Sequence, residues 1–268
     1  MVNFPEKRSY DCQDLREIVR ILRHPGGCPW DMEQTHQSIR RNFLEETYEV
    51  AEAIDSGDMD GLREELGDVL LQVMFHASIE EDAGTFNLDD VADGVCKKLI
   101  YRHPHVFGEV SVDSTDQVLS NWEELKKKEK GQATQADAMD AVARTLPALW
   151  RAEKMKKKAA KTGFDWPDIS GALDKLSEEL DELKAAALKG DGDPVEELGD
   201  LLLAAVSVGY FLDADPEMAL HAACDKFSAR FRKTETLTLE RGLKLDELSE
   251  EALHTIWVEA KRQLAHEQ

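Results

Sequence analysis

Only four cysteines occur in the 268 residues, Cys12, Cys28, Cys96 and Cys224, and no two of them form a CxxC pair. That argues against the usual structural zinc spacings and against a disulfide framework, and it makes a reducing, cytoplasmic setting the expectation. Long apolar runs are missing as well. The longest near-apolar stretch, Leu201 to Leu212, is 12 residues between two aspartates, well short of the roughly 20 that a membrane helix requires, and it reads as a buried helix. The opening MVNFPEKRSYDCQDL lacks the apolar core of a signal peptide. Positive charge is scarce: 33 Lys and Arg stand against 55 Asp and Glu, a net charge of -22. Neither nucleic acid nor an anionic membrane is therefore an expected partner. An anion such as a phosphate can be held only where bound metals or locally clustered Lys and Arg intervene. No GK[ST] occurs, which argues against a P-loop nucleotide site.

Alternating strand patterns are absent too, and what remains is helical. Leu62, Leu66, Val69, Leu70 and Val73 recur at steps of 3 and 4, as do Leu198, Leu201, Leu202, Ala205 and Val208. These two stripes belong to a repeat. EELGDVLL at Glu64 to Leu71 returns as EELGDLLL at Glu196 to Leu203. Around it the order of features is the same in both halves. A Trp-containing loop (CPWD at Cys28 to Asp31, FDWPD at Phe164 to Asp168) precedes an acidic helix (LEETYEV at Leu44 to Val50, SEELDEL at Ser177 to Leu183). After the EELGD helix comes a basic pair, Lys98 with Arg102 or Lys226 with Arg230, and then Trp122 with Lys126 or Trp257 with Lys261. Such extended self-similarity indicates a duplicated unit. The expectation is an all-α protein of two tandem bundle-type units of about four helices each, at residues 1–130 and 146–268, joined by a linker at 131–145. The basic stretch Arg151 to Lys161 reads as a solvated helix face.

Residues 3 or 4 apart share a helix face, so Glu46 pairs with Glu49, Glu65 with Asp68, Glu179 with Glu182, and Glu197 with Asp200. The stripe is expected to point Leu66 and Val69 inward, leaving the neighbouring acids at the edge of the core. Two acidic helices meeting antiparallel would bring four carboxylates together, which is tolerable only if they are protonated or bind cations. Oxygen-only clusters suit Mg²⁺, with Mn²⁺ as a substitute, rather than zinc or copper. Gly67 and Gly199 sit inside these helices at a cost of about 1 kcal/mol relative to Ala; either helix–helix contact or close approach of a ligand would explain them.

EExxE followed by ExxD, in both halves, resembles the MazG-type nucleoside triphosphate pyrophosphohydrolases of the all-α pyrophosphatase superfamily. GGCPWD at Gly26 to Asp31, RHPHVFG at Arg102 to Gly108, LPAL at Leu146 to Leu149 and TGFDW at Thr162 to Trp166 extend the likeness over nearly the whole chain. The resemblance implies Mg²⁺-dependent hydrolysis of a nucleoside triphosphate between its α and β phosphates, giving the monophosphate and pyrophosphate. Glu179, Glu182, Glu197 and Asp200 would hold the metal in the second half, and Glu46, Glu49, Glu65 and Asp68 in the first. Glu178, with Glu45 as its counterpart, is the candidate for positioning or deprotonating water; a metal-ligand role competes for it. Lys175, Lys226 and Arg230 are candidate phosphate contacts that stabilise the leaving group. Trp257 is expected either to stack on base or ribose or to anchor the core, and Lys261 to reach phosphate. Lys98, Arg102, Trp122 and Lys126 are their equivalents in the first half, but Asn42 stands where Lys175 stands, so the second site is expected to be the main catalytic one. Four helices enclose a substrate poorly, so pairing of the halves or a homodimer is expected.

Two rival readings remain open. Glu33-x-x-His36 and Glu251-x-x-His254 have the spelling of di-iron bundle ligands but do not occupy equivalent places in the repeat. A non-catalytic scaffold would use its acids only for solubility.

Overall fold

A computed structural model describes residues 4–129, 131 and 134–267, and all regular structure among them is helical. The chain divides into two compact units between Lys126 and Lys127. In the first, α1 (Cys12–Arg23) and the short α2 (Pro29–Met32) precede α3 (His36–Ser56) and α4 (Met59–Ala83). Then follow α5 (Leu88–Arg102), the short α6 (Pro104–Phe107) and α7 (Thr115–Glu129). The second unit holds the short α8 (Gln135–Asp140), α9 (Ala148–Ala160), α10 (Ile169–Lys189), α11 (Pro194–Phe211), α12 (Pro216–Glu240) and α13 (Glu250–Glu267). The duplication is visible as matched long helices: α1 with α9, α3 with α10, α4 with α11, α5 with α12 and α7 with α13. The four expected in each half are thus preceded by one more, α1 or α9, which packs on α4 or α11.

The acidic helices form tight hairpins because their ends are specified locally. Thr35 caps α3 through a reciprocal box with Ser38, and α3 stops at Gly57, whose φ of 71° suits glycine. Asp58 immediately caps α4 by accepting from the Asp60 and Gly61 amides. A two-residue connection leaves α4 only the antiparallel position beside α3. In the second unit Asp168 caps α10, Gly190 ends it at φ 72°, and Asp193 followed by Pro194 opens α11. Within the stretch read as a linker, α8 is a docked helix. Thr134 and Asp137 form a capping box, Gln135 Nε2 donates to the Lys158 carbonyl at 3.1 Å, and Ala138 and Val142 are buried.

Val19, Ile39, Met74 and Phe75 make the core of the first unit, with Leu70, Leu71 and Ile79 against it; each such side chain contributes about 1.5–3 kcal/mol when fully buried. Leu237, Ile256 and Ala260 join α12 to α13 in the second unit. The apolar stripe of the acidic helices is less covered than its periodicity suggested. Leu66, expected inward, is 52% exposed, and Leu198 and Leu202 are 47% and 48% exposed. In α11 only Ala204, Val206 and Ser207 are buried, so the run Leu201 to Leu212 is not a fully buried helix. No described atom comes within 4 Å of a Cβ built on Gly67 or Gly199, so helix contact within the unit does not explain them. Among the described residues, no helix is long and apolar enough to cross a membrane.

Candidate functional site

Antiparallel pairing of α3 and α4 brings the acids together as their spacing requires. Carboxylate oxygens of Glu46, Glu49 and Glu65 lie within 4.8 Å of one another. Burial, followed by the charges of Asp68 and Glu49, holds the Glu46 carboxyl above the usual range. Burial and then Glu49 and Asp68 do the same to Glu65, so all four acids share one field. In the second unit the group within 4.8 Å is Glu179, Glu197 and Asp200, which takes in the counterpart of Asp68 and leaves out Glu182, the counterpart of Glu49; Glu179 is only 6% exposed. Glu182 is pushed up by burial and by Glu179, with Lys175 opposing. Crowded carboxylates whose proton affinity rises are those a cation would relieve, and a donor set of oxygens alone suits a hard divalent ion. Neither group includes a histidine, which removes the observation that a di-iron reading needs.

The units differ in the cation already present. Lys175 Nζ bridges Glu178 Oε1 at 2.8 Å and Glu179 Oε1 at 2.7 Å, and these bonds raise its pKa. Asn42 cannot do this in the first unit. There Arg41 Nε meets Glu45 Oε1 at 2.7 Å on an exposed face.

The basic residues also gather, though differently in each unit. Lys226, Arg230 and Lys261 line a groove of about 590 Å³ between α12 and α13, together with Asp225 and the small side chains of Ala222 and Ala229. Trp257, half-buried, packs on Phe227 at a centroid distance of 5.5 Å. In the first unit Arg102 is 7% exposed, and its guanidinium lies 5.2 Å from the Trp122 ring, with Lys126 Nζ 4.9 Å from the same ring. Lys98 is half-buried on α5. Among the described residues of the second unit the acids and the basic groove lie on different packed sets: α10 and α11 pack chiefly on each other and α11 on α9, whereas α12 packs chiefly on α13 and α9.

Reading the basic run Arg151 to Lys161 as a solvated face misplaces Lys156, whose side chain is 11% exposed. It is not on a solvated face: its Nζ binds Asp165 Oδ1 at 2.6 Å and lies 4.2 Å from the Trp166 ring. The TGFDW motif was the available signal, since a buried Lys needs an acid and an aromatic face. The histidines of RHPHVFG serve the end of α5, where His103 Nδ1 meets the Leu99 carbonyl at 2.7 Å.

Comparison with known proteins matches residues 34–107 to the MazG nucleotide pyrophosphohydrolase domain. The nucleoside triphosphate pyrophosphohydrolase of Escherichia coli (strain K12) is 42% identical over 253 residues, covering 93% of this chain and 96% of that protein. The nucleoside triphosphate pyrophosphohydrolase/pyrophosphatase MazG of Thermotoga maritima is 44% identical over 249 residues, covering 93% and 95%. A protein named YabN of Bacillus subtilis, described as uncharacterized, is 46% identical over 254 residues that make up 94% of this chain and 52% of its own length.

Proposed function

Since the chain belongs to the MazG family of nucleoside triphosphate pyrophosphohydrolases, we propose that it hydrolyses nucleoside triphosphates between the α and β phosphates, releasing the monophosphate and pyrophosphate. The observation that carries this reading is the duplicated carboxylate group, within 4.8 Å in each unit, on paired antiparallel helices. Glu179, Glu182, Glu197 and Asp200 would hold Mg²⁺, or Mn²⁺ in its place, and Glu46, Glu49, Glu65 and Asp68 would do so in the first unit. When bound, the ion supplies charge neutralisation for the polyphosphate and lowers the pKa of water.

The chain's own groups do the rest. Glu178 takes a proton from the water whose oxygen joins the α-phosphorus as the bridging bond to the β-phosphate breaks. Lys175, held between Glu178 and Glu179, presents its ammonium to a phosphate oxygen while fixing the direction of Glu178. Lys226, Arg230 and Lys261 take up the charge that develops on the departing pyrophosphate, and Trp257 offers an aromatic face to base or ribose. The first unit repeats the acids, but Arg102 and Lys126 already occupy the Trp122 ring and Asn42 replaces the lysine. This supports ranking the second site as the principal one, and the first as weaker, specialised or structural.

A homodimer belongs to the same proposal. Leu180, Leu198 and Leu202 flank the acids and are 42%, 47% and 48% exposed, and among the described residues α12 packs chiefly on α13 and α9. A second copy would cover the leucines and close the site; sedimentation showing a monomer at micromolar concentration overturns it. The four cysteines are unpaired, which supports a cytoplasmic location, and control of the nucleotide pool is the role this chemistry serves. The decisive assay measures pyrophosphate release from a panel of nucleoside triphosphates with Mg²⁺ or EDTA, in wild type, Glu46→Ala and Glu179→Ala. Loss chiefly in Glu179→Ala supports the reading, equal losses sink the ranking, and no release from any nucleotide sinks the activity and leaves the scaffold.

A further inference from the structure

At the end of the α3/α4 hairpin opposite its turn, His36, His76 and Glu80 form a chain outside the acid group. His36 Nδ1 and His76 Nδ1 are 2.6 Å apart, and His36 Nε2 is 2.6 Å from Glu80 Oε1. The ring planes differ by 8° and the centroids are 5.0 Å apart. Nearly parallel rings with a nitrogen contact so much shorter than the centroid distance must meet edge to edge in one plane, which aligns the N–H with its acceptor. Thr85 donates to Glu80, the Phe43 ring meets His76 at 5.7 Å and 79°, and the His76 side is half-buried.

The tautomers follow from the carboxylate. Glu80, kept ionised by its bonds from Thr85 and His36, requires a proton on His36 Nε2. His36 Nδ1 is then bare and accepts from His76 Nδ1–H. One added proton preserves both bonds, because the chain then carries a proton on each Nε2 and one shared between the two Nδ1 atoms. A second proton has only the remaining bare Nδ1 to occupy, which sets two N–H groups and two positive rings against each other at 2.6 Å. We propose that His36, His76 and Glu80 form an acid-opened latch that clamps the start of α3 to α4 in the first unit only. At the corresponding places of the second unit stand Ile169, Val208 and Leu212, side chains that carry no titratable group.

Neighbouring charges do not supply a substitute partner. On α1, Arg16 pairs with Glu81 and Asp89, Arg20 with Glu17, and Arg23 with Asp82, with His24 also near Asp82. Along α3 the next charge on the same face is Arg40, one turn from His36, which disfavours further protonation. Burial and His36 already hold His76 below the usual histidine value. Because that folded value is depressed, the unfolded chain binds the proton first, so the clamp contributes stability above the ordinary histidine range of about 6.5 and loses it as pH falls.

Histidine-resolved NMR on the full chain, titrated from neutral to acid pH, tests this without any variant. The two rings should titrate in separate steps, and the protection factors of α3 amides, corrected for the intrinsic slowing of exchange in acid, should fall across the second step with no such fall in α10. Independent, simultaneous titration of both rings in the wild type, or exchange in α3 that ignores the second step, overturns the latch. Neither readout involves nucleotide hydrolysis, so either failure is distinct from failure of the activity.

Discussion

Removing one carboxylate from the first unit should stabilise it and abolish its response to magnesium. Glu46 shares the space between α3 and α4 with Glu49, Glu65 and Asp68, whose charges raise its pKa after burial. Like charges on adjacent helix positions cost about 0.2–0.5 kcal/mol per pair. Glu46→Gln keeps the shape and removes three such contacts, so metal-free protein should gain about 1 kcal/mol, or roughly fivefold slower hydrogen exchange in α3 and α4. With Mg²⁺ at about 100 times its dissociation constant the wild-type hairpin gains about 2.7 kcal/mol, most of which a variant short of one ligand forgoes. The order of protection therefore inverts between EDTA and Mg²⁺. Exchange mass spectrometry on peptides from His36–Ser56 and Met59–Ala83 reads the first unit alone. A variant less protected than wild type in EDTA, or an equal gain from Mg²⁺ in both proteins, would refute the reasoning.

The same pair of proteins gives a pH test. A raised carboxylate pKa means that the ionised form costs stability, and this cost grows as pH rises from the ordinary value of 4.5 to the raised folded value and is constant above it. The advantage of Glu46→Gln should therefore shrink to nothing on acidification, as measured by urea unfolding in EDTA. Lys175→Met should lower pyrophosphate-releasing turnover by about 10²-fold, with Lys175→Arg recovering part of it, since one preorganised donor is worth that much. Trp257→Ala should raise KM about tenfold with little change in kcat if the ring supplies binding shared by ground and transition states; a fall in kcat alone counts against stacking.

The acid groups were legible because helix spacing and the repeat state the same geometry twice: Glu46 with Glu49 and Glu65 with Asp68 need only an antiparallel turn, and Gly57 with Asp58 supplies it. The bridge from Lys175 to Glu178 and Glu179 is likewise a matter of steps of 3 and 4. Leu66 was misplaced because a periodic stripe shows which residues share a face, not whether a neighbour covers it. Lys156 was hidden for a related reason. Its burial depends on Trp166 and Phe211 closing over it from other elements, and a run of lysines carries no trace of that. The His36–His76 contact joins residues 40 positions apart with no local pattern to announce either one.

The two units keep every acid and differ in how the acids are balanced. Around Glu179, buried to 6% exposure, a lysine already sits within hydrogen-bonding distance, and the far end of that hairpin is apolar at Ile169, Val208 and Leu212. Its geometry can therefore persist before metal or nucleotide arrives, which is the preorganisation that electrostatic catalysis rewards. In the first unit Glu46 has Asn42 one turn earlier instead of a lysine, its carboxyl is raised rather than relieved, and the opposite end is held by titratable rings. On the proposals above, both ends of that hairpin would respond to solution conditions, the acids to divalent ions and the histidines to protons. On the proposed reading the second site is the one arranged for turnover, and the first, with Asn42 where the second has Lys175, would serve as a specialised or structural partner rather than as a second identical catalyst.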